Sequence, residues 1–313
     1  MDLIESPAAM RLAARRLREK HDRLALVPTM GNLHAGHLAL VEQARRQAGA
    51  VIVSIYVNQM QFGVNEDYHS YPRTLEEDLA RLKECGVSAV FVPTAAAIYP
   101  EGLEQHTVIQ NSFLDGIHCG RTRPSFFTGV LTVVAKLFNI VQPDMAVFGE
   151  KDFQQLCMVR RMVKDLCFPV DIVSVPTVRT EDGLALSSRN EYLSLEEKER
   201  ASTLRAQLLW ARKAVLAGTH SYERIKEQAR ACLARAGLTP DYFSIVRRSD
   251  LREAAPDDRS LVILAAAFLG KTRILDNIQI DLVGGLHSGG MSKKRDAVRY
   301  APRTKSVEEK AEA

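Results

Sequence analysis

Pro28-Thr29-Met30-Gly31-Asn32-Leu33-His34-Ala35-Gly36-His37 follows the apolar run Leu24-Ala25-Leu26-Val27 and leads into Leu38-Ala39-Leu40-Val41. An apolar run, a turn containing glycine and then apolar residues at helical spacing predict a strand that feeds a helix. Backbone N–H groups at a helix start lack intrahelical partners and sit at the positive end of the helix dipole. The turn is therefore expected to hold a phosphate on its main chain. His34 and His37 are three residues apart and share one helical face, and Gly36 between them leaves the backbone bare enough for a flat ring to lie against it. Two histidines without a third ligand nearby do not complete a zinc shell. The plainer alternative is a pair of polar residues at a helix start with no chemistry.

Outward from this stretch, Pro7 to Lys20 reads as an amphipathic surface helix. Val51 to Val57 reads as a strand buried on both faces. Asn58 and Gln61 follow that strand, at the end of a parallel sheet where ligands bind, so both are candidates for hydrogen bonds to a substrate, or else simple turn formers. Thr74 to Cys85 is predicted to be a helix with a Thr74/Glu77 capping box, and its early acids Glu76, Glu77 and Asp78 suit the helix dipole better than a magnesium site. After a strand at 89–92, residues 95–127 read as an irregular active-site arm. A helix over 128–141 and a strand over 145–148 lead to Gly149-Glu150-Lys151-Asp152, a second glycine turn that opens a helix running to about Cys167. Lys151 supplies a charge for phosphate there, and Gln155 a possible hydrogen bond to substrate. With a fifth strand at 170–175, the alternation predicts an α/β fold, a Rossmann-like doubly wound parallel sheet occupying residues 1–177.

Asp182 to Asn190 is a polar loop in which Ser187, Ser188 and Arg189 could cover a triphosphate or merely cap a helix. Helices over 194–217 and 221–236 and strands over 241–246, 260–269 and 272–280 predict a smaller α+β C-terminal domain at 178–285, followed by a basic, disordered tail at 286–313. Gly270-Lys271-Thr272 imitates the end of a P-loop, but Ala265 replaces the first glycine and a strand follows. Met291-Ser292-Lys293-Lys294 imitates a synthetase signature but lies in the tail.

The composition, 46% hydrophobic and 26% charged over 313 residues, is that of a globular protein. Charges through Arg11, Arg15, Arg16 and Lys20 interrupt any secretory leader, and a cytoplasmic protein is expected, with no membrane partner. The net charge of +4 resides mostly beyond Gly289, where seven Lys/Arg meet four acids. The nearly neutral body offers no footprint for nucleic acid. Five scattered cysteines without a CxxC pair predict reduced thiols.

The H-x-G-H pattern resembles the nucleotide-binding signature of nucleotidyl-transferring α/β enzymes, class I aminoacyl-tRNA synthetases among them. Taken together, PTMGNLHAGH, VNQMQF, YPRT, FGEKDFQQL, DGLALSSRN and LDNI stand in the order and spacing of the pantoate–β-alanine ligase family, and the resemblance covers residues 1 to 284. It implies an H-x-G-H nucleotidyltransferase-type fold with a C-terminal lid, a homodimer, and ligation of (R)-pantoate to β-alanine with ATP as substrate. A pantoyl adenylate is the implied intermediate, with AMP and pyrophosphate as products and Mg²⁺ held mainly through the ATP phosphates. By the resemblance His37 is catalytic, and Met30, Gly31, Asn32, Leu33, His34, Ala35, Gly36, His37, Gly149, Glu150, Lys151, Asp152, Val178, Leu186, Ser187, Ser188 and Arg189 border ATP. Gln61 meets pantoate and β-alanine, and Gln155 meets pantoate.

These residues suit the chemistry. A carboxylate is a poor acyl donor until ATP adenylates it, and that step needs donors for the α-phosphate and the departing pyrophosphate, which His34, His37, Lys151, Ser187, Ser188 and Arg189 can provide. A related nucleotidyltransferase, or a noncatalytic nucleotide-binding relative, are the alternatives. Two departures from the family pattern stand out. Gln59 replaces a proline, which loosens the loop carrying Gln61, and Phe126 replaces a histidine near the phosphates.

Overall fold

The computed structural model describes residues 1–63, 66–218 and 221–282. Six strands, β1 (Asp2–Ile4), β2 (Leu24–Thr29), β3 (Ala50–Ile55), β4 (Ala89–Phe91), β5 (Met145–Gly149) and β6 (Asp171–Val175), form a parallel sheet in the order β1-β4-β3-β2-β5-β6. Side chains along a strand alternate between faces, so each face needs its own cover. Leu24 and Leu26 join a core with α1 (Pro7–Lys20), α7 (Phe126–Val141) and α8 (Phe153–Asp165). Ala25 and Val27 point the other way, onto α2 (Ala35–Gln47) and α3 (Leu75–Glu84). Cover on both faces is what makes these strands read as unbroken apolar runs. The edge strand β1 is an addition to the five expected, since three residues are too few to show a period.

From β2 the chain winds outward through β3 and β4 and then returns to β5 on the opposite side of β2. Only Ala25↔Met145 and Leu26↔Ala146 pair across that junction, whereas β2 and β3 pair from Leu24↔Ala50 to Thr29↔Ile55. The strands on either side of the switch point therefore part toward their carboxyl ends, and a crevice opens where α/β sheets bind ligands.

The arm at 95–127 is less irregular than the sequence suggests. It contains α4 (Ala95–Ile98), α5 (Ser112–Asp115) and α6 (Cys119–Thr122), each too short to show a helical period. Gln154 of α8 ties the arm down, donating from Nε2 to the carbonyls of Leu114 (2.8 Å) and Ile117 (2.9 Å) and accepting from the Cys119 amide at 3.1 Å.

Helices α9 (Leu195–Leu216) and α10 (Tyr222–Arg235) precede an antiparallel sheet of β7 (Thr239–Arg247), β8 (Ser260–Leu269) and β9 (Thr272–Asp281). Phe243, Ile245, Ile263 and Ile278 pack with α9 and α10, while Tyr242, Val246, Val262 and Leu264 on the other face join the core that contains α7 and α8. Gly270-Lys271 is the two-residue turn of the β8–β9 hairpin, as the strand after it requires. The predicted tail, with Met291 to Lys294, lies outside the described residues. No helix among the described residues is long and apolar enough to cross a membrane.

The capping box expected at Thr74 does not form. The Thr74 side chain makes no cap bond and its hydroxyl turns to Asn32 Oδ1 at 3.5 Å. Asp78, one turn into α3, is buried and turned under the stretch quoted above rather than toward solvent.

Candidate active site

His34 is the N-cap of α2, and its Nδ1 accepts from the Gly36 amide at 3.1 Å. His37 Nδ1 accepts in return from the His34 amide at 3.4 Å, so two imidazoles make the reciprocal box usually built from Ser and Glu. A Cβ on residue 36 would come within 2.8 Å of His34 Cε1, so glycine there lets the ring lie flat on the helix start. Ring centroids are 4.1 Å apart. A nitrogen that accepts a backbone N–H is unprotonated, so each neutral ring carries its proton on Nε2. Burial lowers both rings from the ordinary 6.5. His34 falls to about 4, helped by Lys151, and His37 to about 3, helped by His34 and Lys151.

Both rings are thus neutral N–H donors throughout the physiological range. Each takes up its proton near pH 6.5 when unfolded, so the stability they confer is complete above that value and is lost as pH falls through about 4 and 3. We expect the imidazole Cε1–H resonance assigned to His37 to hold its shift from pH 8 to pH 5. Titration near pH 6.5 would refute the box.

The expected main-chain phosphate cradle is largely closed. The amides of Gly31, Asn32, Leu33, His34, Gly36 and His37 all donate within the protein. Asp78 takes two of them, Oδ2 from Asn32 at 2.9 Å and Oδ1 from Leu33 at 2.8 Å, where Gly31 and Asn32 are left-handed. Side-chain Nε2–H groups therefore replace the backbone as the donors this turn can offer.

At the end of β5, the carbonyls of Glu150 and Lys151 accept from Asn277 Nδ2 of β9 at 2.7 and 2.9 Å. The neighbouring Asp276 is paired in bidentate fashion with Arg179 at 2.6 and 2.9 Å, and Arg179 also donates to the Gly183 carbonyl. The Asp276-Asn277 pair thus links the lysine turn to the base of the 182–190 loop. Sequence reasoning misses these two residues as parts of the site. Their signal is two adjacent polar residues inside the apolar strand ILDNIQI.

In the 182–190 loop, Ser188 Oγ donates to the Asn32 carbonyl at 3.3 Å, and Arg189 holds Asp67 through Nε at 3.0 Å and Nη2 at 2.8 Å. Arg123 pairs likewise with Glu66, and its guanidinium lies 3.7 Å from the centroid of the Phe126 ring. Phe126 therefore has a packing role here: its face seats the cation that anchors residue 66.

These parts surround one cavity of about 1040 Å³. Met30, His34, Gly36 and His37 line it, with Gly149, Lys151, Asp152, Gln155, Val178, Leu186, Ser187, Ser188 and Arg189, while Val130, Val133 and Leu137 of α7 make an apolar wall. Gly31, Asn32, Leu33 and Ala35 shape the turn without lining the cavity. Glu150 is drawn away by Ser174 and Gln279. Gln61 lines the cavity, and Asn58 sits behind it, fully buried.

A doubly wound parallel sheet, with two adjacent imidazoles and a lysine at its switch point under a second sheet, defines the H-x-G-H class of α/β nucleotide-dependent enzymes. Within that class the match is specific. The chain fits the pantoate-beta-alanine ligase family model over residues 2–279 and belongs to that family. It is 51% identical over 282 residues to the pantothenate synthetase of Nitrosococcus oceani, covering 90% of this chain and 99% of that one. With the pantothenate synthetase of Hahella chejuensis it shares 50% over 273 residues, 87% of this chain and 96% of the other. Among solved structures, pantothenate synthetase from Thermus thermophilus superposes with a TM-score of 0.83 at 44% identity, over 89% of this chain and 99% of that one. Pantoate-beta-alanine ligase from Francisella tularensis, complexed with beta-gamma ATP and beta-alanine, gives 0.74 at 30% identity, over 89% and 97%.

Proposed function

We propose that the chain ligates (R)-pantoate to β-alanine at the expense of ATP, through a pantoyl adenylate formed in this cavity. The observation that carries the reading is that two neutral Nε2–H donors, Lys151 and the Ser187 to Arg189 loop line the same cavity as Gln61, Gln155 and the apolar wall of α7. The histidines, the lysine and the loop serve anionic oxygens. The branched carbon skeleton of pantoate suits the apolar wall of α7, and its carboxylate and hydroxyls suit the glutamines.

Attack of the pantoate carboxylate on the α-phosphorus forms the mixed anhydride and expels pyrophosphate. His34 and His37 donate to the phosphate oxygens on which charge develops, and Lys151 balances the leaving group; none of them needs to accept a proton. The amine of β-alanine then attacks the acyl carbon and AMP leaves. Mg²⁺ enters with the ATP phosphates. Residues 178–285 act as the lid over the nucleotide, and the working enzyme is a cytoplasmic homodimer with no nucleic-acid partner.

Exchange of label between pyrophosphate and ATP tests the intermediate. It should require pantoate and proceed without β-alanine. Exchange that needs β-alanine would mean a concerted reaction and remove the adenylate.

A further inference from the structure

Asn58 and Tyr99 make no contact with the cavity, yet they are joined to the residue that does. Asn58 Nδ2 lies 3.0 Å from the carbonyl of Gly129, a group that can only accept, so the NH2 end of Asn58 faces Gly129 and its Oδ1 faces away. That Oδ1 is 2.9 Å from the Tyr99 hydroxyl, which must therefore be the donor. Asn58 Nδ2 also reaches Gln61 Oε1 at 3.3 Å. The Gln61 oxygen is thereby an acceptor turned inward, and Nε2 is turned to the cavity, where its protein partner is the thioether of Met30 at 2.9 Å. Sulfur is a weak acceptor that a charged oxygen would displace.

The arrangement is rigid at each step. Asn58 is 1% and Tyr99 3% exposed. Burial raises the phenol well above its ordinary value, so it keeps the proton it donates. Lys136 sits over the Tyr99 ring at 4.8 Å while donating to the Ile98 carbonyl at 2.9 Å, which holds the ring in place. A Cβ on Gly129 would lie 2.5 Å from the Met60 carbonyl oxygen, so the glycine is what lets α7 come close enough to orient Asn58.

We infer that Tyr99 is a positioning residue which, through Asn58, fixes the Gln61 amide with its N–H group toward the cavity. The cavity then selects a hydrogen-bond acceptor, a carboxylate oxygen, at that point. This rests on the reading that Gln61 meets the acid substrates. Without the phenol hydroxyl, Asn58 Oδ1 is buried with no donor, and the Gly129 carbonyl alone is left to hold the pair of amides in this orientation.

Steady-state kinetics of Tyr99→Phe and Gln61→Ala, with melting curves, test it. Tyr99→Phe should raise KM for pantoate or β-alanine about tenfold, the usual effect of one lost hydrogen bond, with KM for ATP and the melting midpoint close to wild type. Wild-type KM values for both acids in Tyr99→Phe, beside impaired Gln61→Ala, would overturn the relay alone. Equal rises in all three KM values with a lowered midpoint would make Tyr99 merely structural and also overturn it. An unimpaired Gln61→Ala would remove the reading of Gln61 and the relay with it.

Discussion

His37→Ala is expected to slow adenylate formation by roughly 10² to 10³ fold, the range seen when one preorganised donor to a developing charge is lost. Two functions disappear together. The Nε2–H group offered to the cavity is removed, and so is the Nδ1 acceptor that satisfies the His34 amide, which frees the neighbouring His34 ring to shift. His37→Gln carries an acceptor and a donor on one side chain and should retain more activity than alanine. Pantoate-dependent pyrophosphate exchange, read beside a melting curve, separates the two contributions. Exchange at the wild-type rate in the alanine variant would take His37 out of the chemistry.

A large effect is also expected at a residue that touches no substrate. Asp78→Asn keeps the shape of the side chain but leaves one oxygen where two are needed, so one of the Asn32 and Leu33 amides must face an NH2 group. A buried N–H without an acceptor costs about 1 to 3 kcal/mol. That cost falls on a left-handed turn two residues before His34, so both rings should shift. We expect kcat/KM for ATP to drop on the order of tenfold to a hundredfold, with the midpoint lower by a few degrees. An unchanged kcat/KM in a variant with a depressed midpoint would show that the turn carries the histidines without this support.

The fold is legible where apolar runs are long. Strands such as 51–55, covered on both sides, leave an unbroken apolar run in the sequence, and helices such as 7–20, covered on one, leave their period. Elements of three or four residues, β1 and α4 to α6, leave none, because a period needs more than one repeat to appear. At the site, His34, His37, Lys151, Gln61, Gln155 and the Ser187 to Arg189 loop are recognisable from their types and spacing, whereas Val178 and Leu186 enter only through the family resemblance. The residues that hold them are not recognisable. Asp78 stands among the acids of a first helical turn, and nothing local distinguishes it from Glu76 and Glu77. Only the tertiary approach of α3 to the β2 turn separates the buried carboxylate from its exposed neighbours. Phe126 reads in the sequence as a lost polar contact, whereas its ring seats Arg123 three residues earlier, and the pairing of that guanidinium with Glu66, far off in the chain, is what no local spacing announces.

The Arg189 fork, closed on Asp67, has a consequence for how tightly any nucleotide can be held. An anion that takes the Nε–Nη2 edge of this guanidinium does so by exchange, since a carboxylate already occupies that edge. The gain is the difference between two ion pairs, far smaller than the full attraction of a bare cation. Such a swap runs almost as readily backward as forward. A site built to discharge a multiply charged product on every turnover is better served by that near balance than by a cation left waiting.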